Sequence, residues 1–367
     1  MKITAAVARS AQSDFTIEEL ELEEPRDNEV LVKIVGVGIC HSDISARDGQ
    51  IPTELPVVLG HEGAGIVERV GAAVTRVKPG DHVVISFATC GDCAPCHNDQ
   101  KNYCEAFPSL NMLGIRLDGS KAINKGDEII SSHFFGQSSF ANYALTYESN
   151  VVKVRSDAPL EILGPLGCGI QTGAGTFMRA FKCEAGSAVA VAGGGAVGLS
   201  GVLGAVVQGC HPIIVIEPHS ERRKLALELG ATHTIDPVAV DDLSTAIREI
   251  ATNGVKYVLD TTSIQSVLDG LFPALAAGGK LGIVGIPKDP AMKAEFSILS
   301  FLLGGYTVKG ICEGDADPQE FIPFMVDLYM DGKFPYDKMC KIYDLADINE
   351  AVAANSDGSC VKAILRF

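Results

Sequence analysis

The fold is decided by residues 187–209, which read SAVAVAGGGAVGLSGVLGAVVQG, and by residues 211–217, which read HPIIVIE. The pattern predicts a strand, a tight turn, a helix and a second strand. Val189 to Ala192 are apolar with no charged residue nearby, as in a parallel strand that is buried on both faces. A G-x-G-x-x-G spacing follows at once. Such glycines allow a tight turn, close approach of a ligand to bare backbone and close packing of the helix on the sheet.

The same stretch has features that suit a dinucleotide. Gly193, Gly195 and Gly198 supply the glycine spacing, and a helix that starts there directs free N–H groups and its positive dipole end toward phosphates. Glu217 closes the second strand 19 residues after Gly198, where an acid accepts hydrogen bonds from ribose hydroxyls. A purely structural glycine turn is the alternative. In this strand–turn–helix context we interpret the stretch as a dinucleotide-binding site.

A membrane-spanning helix is a second alternative, because residues 187–209 carry no charge and are long enough to cross a bilayer. Six glycines lie between Gly193 and Gly204, and three of them are consecutive. This density suits a turn better than a spanning helix. We therefore expect no contact with a membrane through this stretch.

Composition narrows the class of protein. A chain of 367 residues predicts two domains with a sizeable core. The net charge of −16, without any basic run, argues against a nucleic-acid partner. The N-terminus, MKITAAVARS, lacks the apolar core of a signal peptide. We therefore expect a cytoplasmic chain whose eleven cysteines are reduced, and we interpret their clusters as metal or catalytic sites before disulfides.

The chain changes character twice. Residues 1–95 contain short apolar runs between Gly and Pro turns, which is typical of a barrel-like β domain. From about residue 186 strands and helices alternate, which predicts a doubly wound parallel sheet. Its strand candidates are Val189–Ala192, Ile213–Glu217, Thr232–Ile235, Tyr257–Asp260, Leu281–Ile286 and Thr307–Ile311. We predict an α/β chain in which residues 1–163 and 308–367 form one domain and residues 164–307 form an inserted nucleotide-binding domain.

One cysteine cluster is local. Cys90, Cys93, Cys96 and Cys104 follow the spacing C-x2-C-x2-C-x7-C in a loop that contains Gly and Pro. Four thiolates at this spacing can form a closed tetrahedral shell around zinc, which indicates a structural site. An iron–sulfur cluster is the alternative. His97 lies inside the loop and is surplus to a four-ligand site.

A second cluster is dispersed along the chain. It consists of Cys40, His61 with Glu62, and Cys168. One histidine and two cysteines give three ligands and leave a fourth position for water or substrate, which is the composition of a catalytic zinc site. A buried inert cysteine and a core histidine are the alternative interpretation, and the spacing alone does not decide between the two.

The two clusters and the glycine motif together resemble the zinc-dependent medium-chain alcohol dehydrogenases over essentially the whole chain. The matching motifs are GICHSD (Gly38–Asp43), GHEGAGIVERVG (Gly60–Gly71), VKPGDHVV (Val77–Val84), the four-cysteine loop, GPLGCGIQTGAG (Gly164–Gly175), GGGAVG (Gly193–Gly198) and VKAILRF (Val361–Phe367). Two further stretches, FFGQSSFANYAL (Phe134–Leu145) and EGDADPQEFIP (Glu313–Pro323), are similar to bacterial aryl-alcohol and geraniol-type dehydrogenases. The resemblance implies a GroES-like β-rich catalytic domain and a Rossmann domain.

The resemblance also implies roles for individual residues. Two zinc ions per chain are implied, a catalytic one on Cys40, His61 and Cys168 and a structural one on Cys90, Cys93, Cys96 and Cys104. Glu62 is an acid near the metal, Asp43 orients His61, and Ser42 links the alcohol to the proton exit. The implied cofactor contacts are His41, Thr172, Gly193, Gly195, Ala196, Val197, Gly198, Glu217, Arg222 and Lys362.

One position departs from the family. Several members carry a histidine three residues after the relay Ser or Thr, where it serves as the outer proton acceptor. This chain has Ser45 there, and a serine is not a base near neutral pH. The proton therefore leaves by another route, through water or through His41, which is the nearest substitute by sequence.

The implied reaction is the reversible transfer of hydride from a primary aromatic or allylic alcohol to NAD, with the aldehyde as product. Zinc lowers the pKa of the alcohol, and the protein holds its carbon against the nicotinamide. We expect NAD rather than NADP because Glu217 repels a 2′-phosphate, although Arg222 and Arg223 act in the opposite sense.

Two alternative functions and the oligomeric state remain open at this point. A polyol or glutathione-adduct dehydrogenase has the same fold, and a nucleotide-binding protein without catalysis is a different class that retains fewer ligands. The resemblance implies a homo-oligomer, either a dimer or a tetramer, formed through the nucleotide domain. The apolar stretch Leu281–Ile286 is the candidate edge strand for such an assembly.

Overall fold

The computed structural model describes residues 1–287, 289 and 291–367. Ten strands come first: β1 (Lys2–Ala8), β2 (Thr16–Leu22), β3 (Glu29–Gly38), β4 (Val57–Val58), β5 (Gly63–Val70), β6 (His82–Ile85), β7 (Ile123–Lys125), β8 (Glu128–Ile130), β9 (Tyr143–Tyr147) and β10 (Val151–Lys153). Eight more follow: β11 (Val189–Ala192), β12 (Ile213–Ile216), β13 (His233–Ile235), β14 (Val255–Asp260), β15 (Leu275–Ile283), β16 (Thr307–Gly310), β17 (Cys340–Asp344) and β18 (Lys362–Arg366). The helices are α1 (His41–Arg47), α2 (Ala94–His97), α3 (Phe107–Asn111), α4 (Gly169–Gly175), α5 (Ala196–Val207), α6 (Ser220–Glu228), α7 (Leu243–Ile250), α8 (Gln265–Leu271), α9 (Ile298–Gly304), α10 (Pro318–Met330) and α11 (Ile348–Asp357).

The chain folds as two compact units. The first unit contains residues 1–168, 317–330 and 340–367, and the second contains residues 169–316 and 331–339. The observed divisions after residues 168 and 316 follow the predicted boundaries after residues 163 and 307 by several residues. The second difference has a clear cause, because β16 pairs with β15 in parallel and extends the sheet of the second unit. Residues 331–339, predicted in the first domain, belong to the second unit.

The first unit is β-rich and mostly antiparallel, as its sequence predicts. One sheet has the strand order β4-β1-β2-β7-β8, and the other has the order β10-β6-β5-β3-β18-β17, with β9 also paired to β3. The C-terminal strand β18 pairs antiparallel with β3, so the end of the chain completes the sheet that its beginning starts. The only parallel pair recorded among the described strands of this unit joins β17 to β18.

Strand β3 is central to the first unit. Its sequence EVLVKIVGVG is rich in β-branched residues, and Val30, Leu31 and Val32 are fully buried. Burying each such side chain stabilises the fold by about 1.5–3 kcal/mol relative to leaving it exposed. Because β3 ends at Gly38, it delivers Cys40 to the start of α1. The core therefore fixes the place of a candidate metal ligand.

The second unit contains a six-stranded parallel sheet of order β13-β12-β11-β14-β15-β16. This order confirms the predicted doubly wound sheet. The bounds of β11 agree with the prediction, Val189–Ala192. The turn after it needs glycine at two positions: Gly193 has a φ of +97°, and a Cβ on Gly198 would lie 1.8 Å from the Gly193 carbonyl oxygen.

The structure decides between a strand–turn–helix and a membrane-spanning helix for residues 187–209. Residues 187–209 divide into β11, the glycine turn and the 12-residue helix α5. In the part of the chain that the structure describes, every helix is too short or too polar to cross a bilayer.

The prediction that Leu281–Ile286 is an edge strand is wrong, because β15 lies between β14 and β16. Strand β16 is the edge, and it binds β15 alone among the described strands.

Candidate metal and nucleotide sites

The four-cysteine loop brings its thiols together as predicted. The ligand atoms of Cys90, Cys93, Cys96 and Cys104 all lie within 4.8 Å of one another. The Sγ atoms of Cys93 and Cys96 are 3.4 Å apart, and those of Cys90 and Cys104 are 3.5 Å apart. Backbone hydrogen bonds from Glu105 and Cys96 lower the pKa of Cys93 to about 6. Four thiols with one already acidic fit a closed zinc shell, and His97 is exposed beside it.

The dispersed cluster is also assembled, and it is more buried. Cys40 lies at the start of α1, His61 lies just before β5, and Cys168 ends the first of the three segments that form the first unit. One ligand atom from each of these residues and one from Glu62 fall within 4.8 Å of one another. A set of two sulfurs and one imidazole nitrogen is the donor chemistry of a catalytic zinc site.

Asp43 fixes the orientation of the histidine. Its Oδ1 lies 2.9 Å from His61 Nδ1 and accepts the backbone N–H of Gly60, while its Oδ2 accepts the backbone N–H of Cys40. Burial opposes protonation of His61, but the charge and hydrogen bond of Asp43 together with Cys40 outweigh it and raise the pKa of His61. His61 Nε2 is buried and has no hydrogen-bond partner among the described residues. That nitrogen is therefore free to hold a metal, and this fit supports zinc at the cluster.

Glu62 and Lys362 form a buried ion pair beside the cluster. Lys362 Nζ lies 2.8 Å and 2.6 Å from the two carboxylate oxygens of Glu62 and donates to the carbonyl of Ile39. Burial raises the pKa of Glu62. Burial also opposes the charge on Lys362, yet Glu62 together with Cys40 and Cys168 outweighs it and raises the pKa of the lysine. The ammonium that the resemblance assigns to a phosphate is thus paired with Glu62, and its phosphate contact stays a prediction.

The residues of the predicted proton path lie on α1. Ser42 Oγ is 4.0 Å from Cys40 Sγ and is half-buried, whereas His41 is exposed at the first position of the helix. Ser45 is buried, and its Oγ has no hydrogen-bond partner within the part of the chain that the structure describes. The position where relatives carry an outer base is therefore closed to solvent here.

The second unit contains a cavity of about 550 Å³ at the carboxyl edge of its sheet. Four predicted cofactor residues line it: Gly193, Gly195, Glu217 and Arg222. Glu217 Oε2 accepts the backbone N–H of Gly194 at 2.6 Å, and its Oε1 accepts that of His219 at 2.9 Å. Arg222 Nε has no hydrogen-bond partner among the described residues. The cavity therefore combines the glycine turn with one acid and one guanidinium, as a nucleotide site requires.

The remaining predicted cofactor residues lie elsewhere. Ala196, Val197 and Gly198 form the first turn of α5, and Thr172 is half-buried on α4 in the same unit. His41 and Lys362 belong to the first unit. The cofactor roles of these residues remain predictions.

Aromatic side chains surround the metal cluster, and the sequence analysis missed their arrangement. Phe135 stacks on the His61 ring with centroids 4.4 Å apart, and Phe134 meets it edge-on at 5.5 Å. The ring centroid of Phe107 lies 6.2 Å from that of Phe135 and 5.7 Å from that of Phe87. Gln137 was missed as well, although it donates to the His61 carbonyl. The only sequence signal for these contacts was the stretch FFGQ at residues 134–137.

Comparison with known families gives two matches. Residues 26–156 match the alcohol dehydrogenase GroES-like domain, and residues 196–329 match the zinc-binding dehydrogenase family. These ranges include every predicted zinc ligand except Cys168, and they include the glycine turn from Ala196 onward.

Individual relatives extend the match to the whole chain. The chain is 45% identical to geraniol dehydrogenase from Castellaniella defragrans over 99% of this chain and 97% of the relative. The crystal structure of an alcohol dehydrogenase zinc-binding domain protein from Burkholderia ambifaria has a TM-score of 0.98 and 48% identity, covering 100% of this chain and 99% of the other. Benzyl alcohol dehydrogenase from Acinetobacter calcoaceticus has a TM-score of 0.96 and 42% identity, with the same coverage.

Proposed function

Because this chain belongs to the zinc-dependent medium-chain alcohol dehydrogenases, we propose that it oxidises primary aromatic or allylic alcohols to aldehydes with NAD. The family assignment rests on the relative that is 45% identical over nearly the full length. The observation that carries the proposal is the buried Cys40–His61–Cys168 cluster, in which His61 Nε2 is oriented by Asp43 and otherwise unbonded among the described residues. The names of two relatives, geraniol dehydrogenase and benzyl alcohol dehydrogenase, support the substrate class.

Two zinc ions per chain are part of the proposal. Cys40, His61 and Cys168 hold the catalytic ion, and Cys90, Cys93, Cys96 and Cys104 hold the structural one. When bound, zinc supplies a Lewis acid that lowers the pKa of an alcohol hydroxyl, and NAD supplies the hydride acceptor. The catalytic unit is then the first compact unit, and the nucleotide-binding unit is the second.

The chain's own residues orient and move protons around this centre. Asp43 holds the His61 ring and its tautomer through Nδ1. Ser42 Oγ, close to the Cys40 thiol, relays the proton of the alcohol: it accepts that proton while it releases its own hydroxyl proton outward. Glu62 adds a carboxylate whose charge Lys362 balances. Because Ser45 is buried and is not a base, the proton passes from Ser42 to water or to the exposed His41.

Aromatic rings support an aryl or allylic substrate. Phe87, Phe107 and Phe135 form a chain of neighbouring rings that reaches the face of His61. Flat unsaturated substrates pack well on such rings, because offset and edge-on arrangements add stability beyond the buried area. A polyol would leave its hydroxyls without partners against these carbon surfaces.

The preference for NAD is assigned to Glu217. Its carboxylate is fixed in the cavity by the backbone N–H groups of Gly194 and His219. A fixed carboxylate accepts hydrogen bonds from ribose hydroxyls and repels a 2′-phosphate. Arg222 and Thr172 complete the proposed cofactor contacts with the glycine turn, and His41 and Lys362 serve its phosphates.

The test is the initial rate of NADH formation by the purified zinc-loaded protein. Benzyl alcohol, geraniol, ethanol, sorbitol and S-(hydroxymethyl)glutathione are compared, each with and without a zinc chelator. We expect chelator-sensitive turnover with kcat/KM far higher for benzyl alcohol or geraniol. Turnover of ethanol or sorbitol alone would overturn the substrate class. Turnover of the glutathione adduct alone would establish the second enzyme, and no turnover with two zinc ions bound would contradict the enzymatic proposal.

We also propose that the chain forms a homo-oligomer through the free edge of the second unit's sheet. Helix α9 precedes the edge strand β16 and exposes apolar side chains: Ile298 is 76% exposed, Leu302 is 73% exposed and Leu303 is 77% exposed. A second copy of the chain would cover this face. The variant Leu302→Glu is expected to yield monomers by light scattering, whereas Leu117→Glu, at an exposed leucine of the first unit, leaves the mass unchanged. Monomeric wild-type protein would overturn this assembly.

The cytoplasm is the proposed compartment. All eleven cysteines, which the structure describes throughout, are free thiols, as expected in a reducing environment. Fractionation of cells followed by immunoblotting tests this, and recovery of the chain outside the cytoplasmic fraction would contradict it.

A further inference from the structure

A short segment far along the chain holds the backbone around His61. Gln137 is 1% exposed. Its Nε2 donates to the carbonyl of His61 at 2.9 Å, and its Oε1 accepts the backbone N–H of Gly63 at 3.1 Å. One side-chain amide therefore bonds the chain on both sides of Glu62. A buried amide satisfied in this way restricts the backbone, because breaking either bond leaves a buried polar group without a partner.

The neighbours of Gln137 add further restraints on the same backbone. The Ser139 N–H donates to the carbonyl of Gly60 at 2.8 Å, and the Ser139 hydroxyl donates to Gln137 Oε1. The close fit requires glycine at position 63, where a Cβ would lie 2.4 Å from Ser139 Oγ and 3.0 Å from Gln137 Oε1. Phe135 covers the face of the His61 ring at 4.4 Å. Residues 133–139 thus contact His61 through its backbone and through its ring.

The backbone of this segment is strained. His133, Phe135 and Ser138 have φ values of +69°, +50° and +54°, a region that side chains with a Cβ rarely adopt. Such strain persists only where surrounding contacts enforce it, and it concentrates at functional sites. The contacts here are those of Ser138 Oγ, which accepts the Phe134 N–H and donates to the Val58 carbonyl.

We propose that Gln137 is a positioning residue for the metal cluster, which fixes His61 before zinc binds and slows the loss of zinc afterwards. Asp43 restrains the ring of His61 through Nδ1, and Gln137 restrains the backbone that carries the ring. With the ring and the backbone both restrained, His61 Nε2 points in one fixed direction. The proposal rests on the proposed role of His61 as a zinc ligand.

The experiment measures the release of zinc from the holoenzyme to a chromophoric chelator, well below the melting temperature. The main variant is Gln137→Met, which keeps the length of the side chain and removes the hydrogen bonds of the amide, including those to His61 and Gly63. The control is Asn349→Leu: the Asn349 amide also bonds a backbone N–H and a carbonyl, those of Phe15, in the same unit. Comparison with His61→Ala identifies which phase of release belongs to the catalytic site.

We expect Gln137→Met to speed that phase by about tenfold to a hundredfold, the usual effect of removing a residue that supports a metal ligand. The phase of the four-cysteine site is expected to stay unchanged, and Asn349→Leu is expected to change neither phase. If Gln137→Met does not fold, Ser139→Ala decides, with an expected acceleration of roughly fivefold, the effect of one net hydrogen bond.

Two results overturn the inference alone. In one, wild-type protein releases two zinc ions, and Gln137→Met lowers Tm as Asn349→Leu does without changing release. In the other, both variants speed release equally, which indicates general loosening of the fold. Wild-type protein that holds no zinc through His61 is a separate result, since it overturns the proposed function together with this inference.

Discussion

The four-cysteine loop and the Cys40–His61–Cys168 cluster differ in where their donors lie along the chain and in what surrounds them. The loop draws four identical donors from residues 90–104, and half of them are partly exposed. The other cluster draws two kinds of donor from residues 40–168 and is nearly closed to solvent. Both lie in the first compact unit. The contrast shows that one fold can bring metal-type donors together by local spacing or by long-range packing.

The supporting contacts differ in the same way. The thiols of the loop are steadied by one another and by backbone N–H groups such as that of Cys90, which donates to Cys104 Sγ. His61 is steadied by Asp43, Gln137 and Phe135, which come from α1 and from residues 133–139. A local site needs little beyond its own loop, so it suits a structural ion. A site with oriented donors and a nearby charge pair suits chemistry.

The largest test of this contrast is His61→Ala. Loss of the oriented nitrogen removes the Lewis acid, which is worth several kcal/mol to the reaction, so kcat/KM is expected to fall by roughly 10³-fold or more. Metal analysis is expected to show zinc falling from two ions per chain to one. Loss of both ions, or of neither, would break the separation between the two clusters.

A smaller effect is expected from Asp43→Asn. The amide keeps the size of the side chain but removes the charge that faces His61 Nδ1 at 2.9 Å. Zinc affinity or kcat/KM is expected to fall by about tenfold to a hundredfold. Competition with a chelator of known affinity measures the first, and the NADH assay measures the second. The control Asp118→Asn changes an exposed aspartate that pairs with Arg26, and equal effects of the two variants would contradict the role of Asp43.

Cys93→Ser tests the other side of the contrast. It removes one donor from the loop, so one zinc ion is expected to be lost. We expect Tm to fall by about 5–10 °C, the shift that a loss of about 2–3 kcal/mol produces. The kcat/KM of the folded protein is expected to stay unchanged, because the thiols of the loop form a donor group of their own, which shares no residue with the Cys40–His61–Cys168 cluster. Calorimetry and the NADH assay on the same sample separate the two outcomes, and a fall in kcat/KM without a fall in Tm would contradict a purely structural role.

The sequence predicted what depends on short spacing. The glycine turn, the strand Val189–Ala192, the acid Glu217 and the four-cysteine loop are each defined within about 30 residues of chain, where residue type and period carry the information. The three donors of the dispersed cluster were only suggested by their spacing. The resemblance to a family was needed to group them.

Long-range pairings were beyond the sequence. Lys362 was assigned to a phosphate, but its ammonium lies against Glu62, 300 residues away. Gln137 was missed because its partners at residues 61 and 63 precede it by more than 70 residues. Leu281–Ile286 was taken for an edge strand because its apolar run does not show which neighbour follows it, and β16 then pairs outside it. In each case the observed partner is one that only the folded chain supplies.

The smallest effect concerns a buried network that reaches the segment behind His61. Glu29 is 1% exposed and receives two hydrogen bonds from Arg116, at 2.7 Å and 3.0 Å. His133, where residues 133–139 begin, lies 3.5 Å from the same carboxylate. Burial opposes ionisation of Glu29, but His133 and Arg116 outweigh it and lower its pKa to about 2 from an ordinary value of 4.5. The segment behind His61 is thus supported by a group that ionises.

A depressed pKa stabilises the fold fully above the unfolded pKa of 4.5, and this contribution is lost as the pH falls toward 2. Glu29→Gln lacks this pH-dependent contribution, so its Tm is expected to lie below that of wild type near neutral pH, where Arg116 loses its buried carboxylate partner and is left with the exposed carboxylate of Glu23. Between about pH 5.5 and about pH 3.5, the difference in unfolding free energy between wild type and Glu29→Gln is expected to shrink by about 1 kcal/mol. The corresponding difference in Tm is expected to shrink by roughly 2–4 °C. Tm is measured by calorimetry at several pH values. Parallel Tm curves for the two proteins would show that Glu29 titrates at its ordinary pKa and that the network gives the catalytic side no such support.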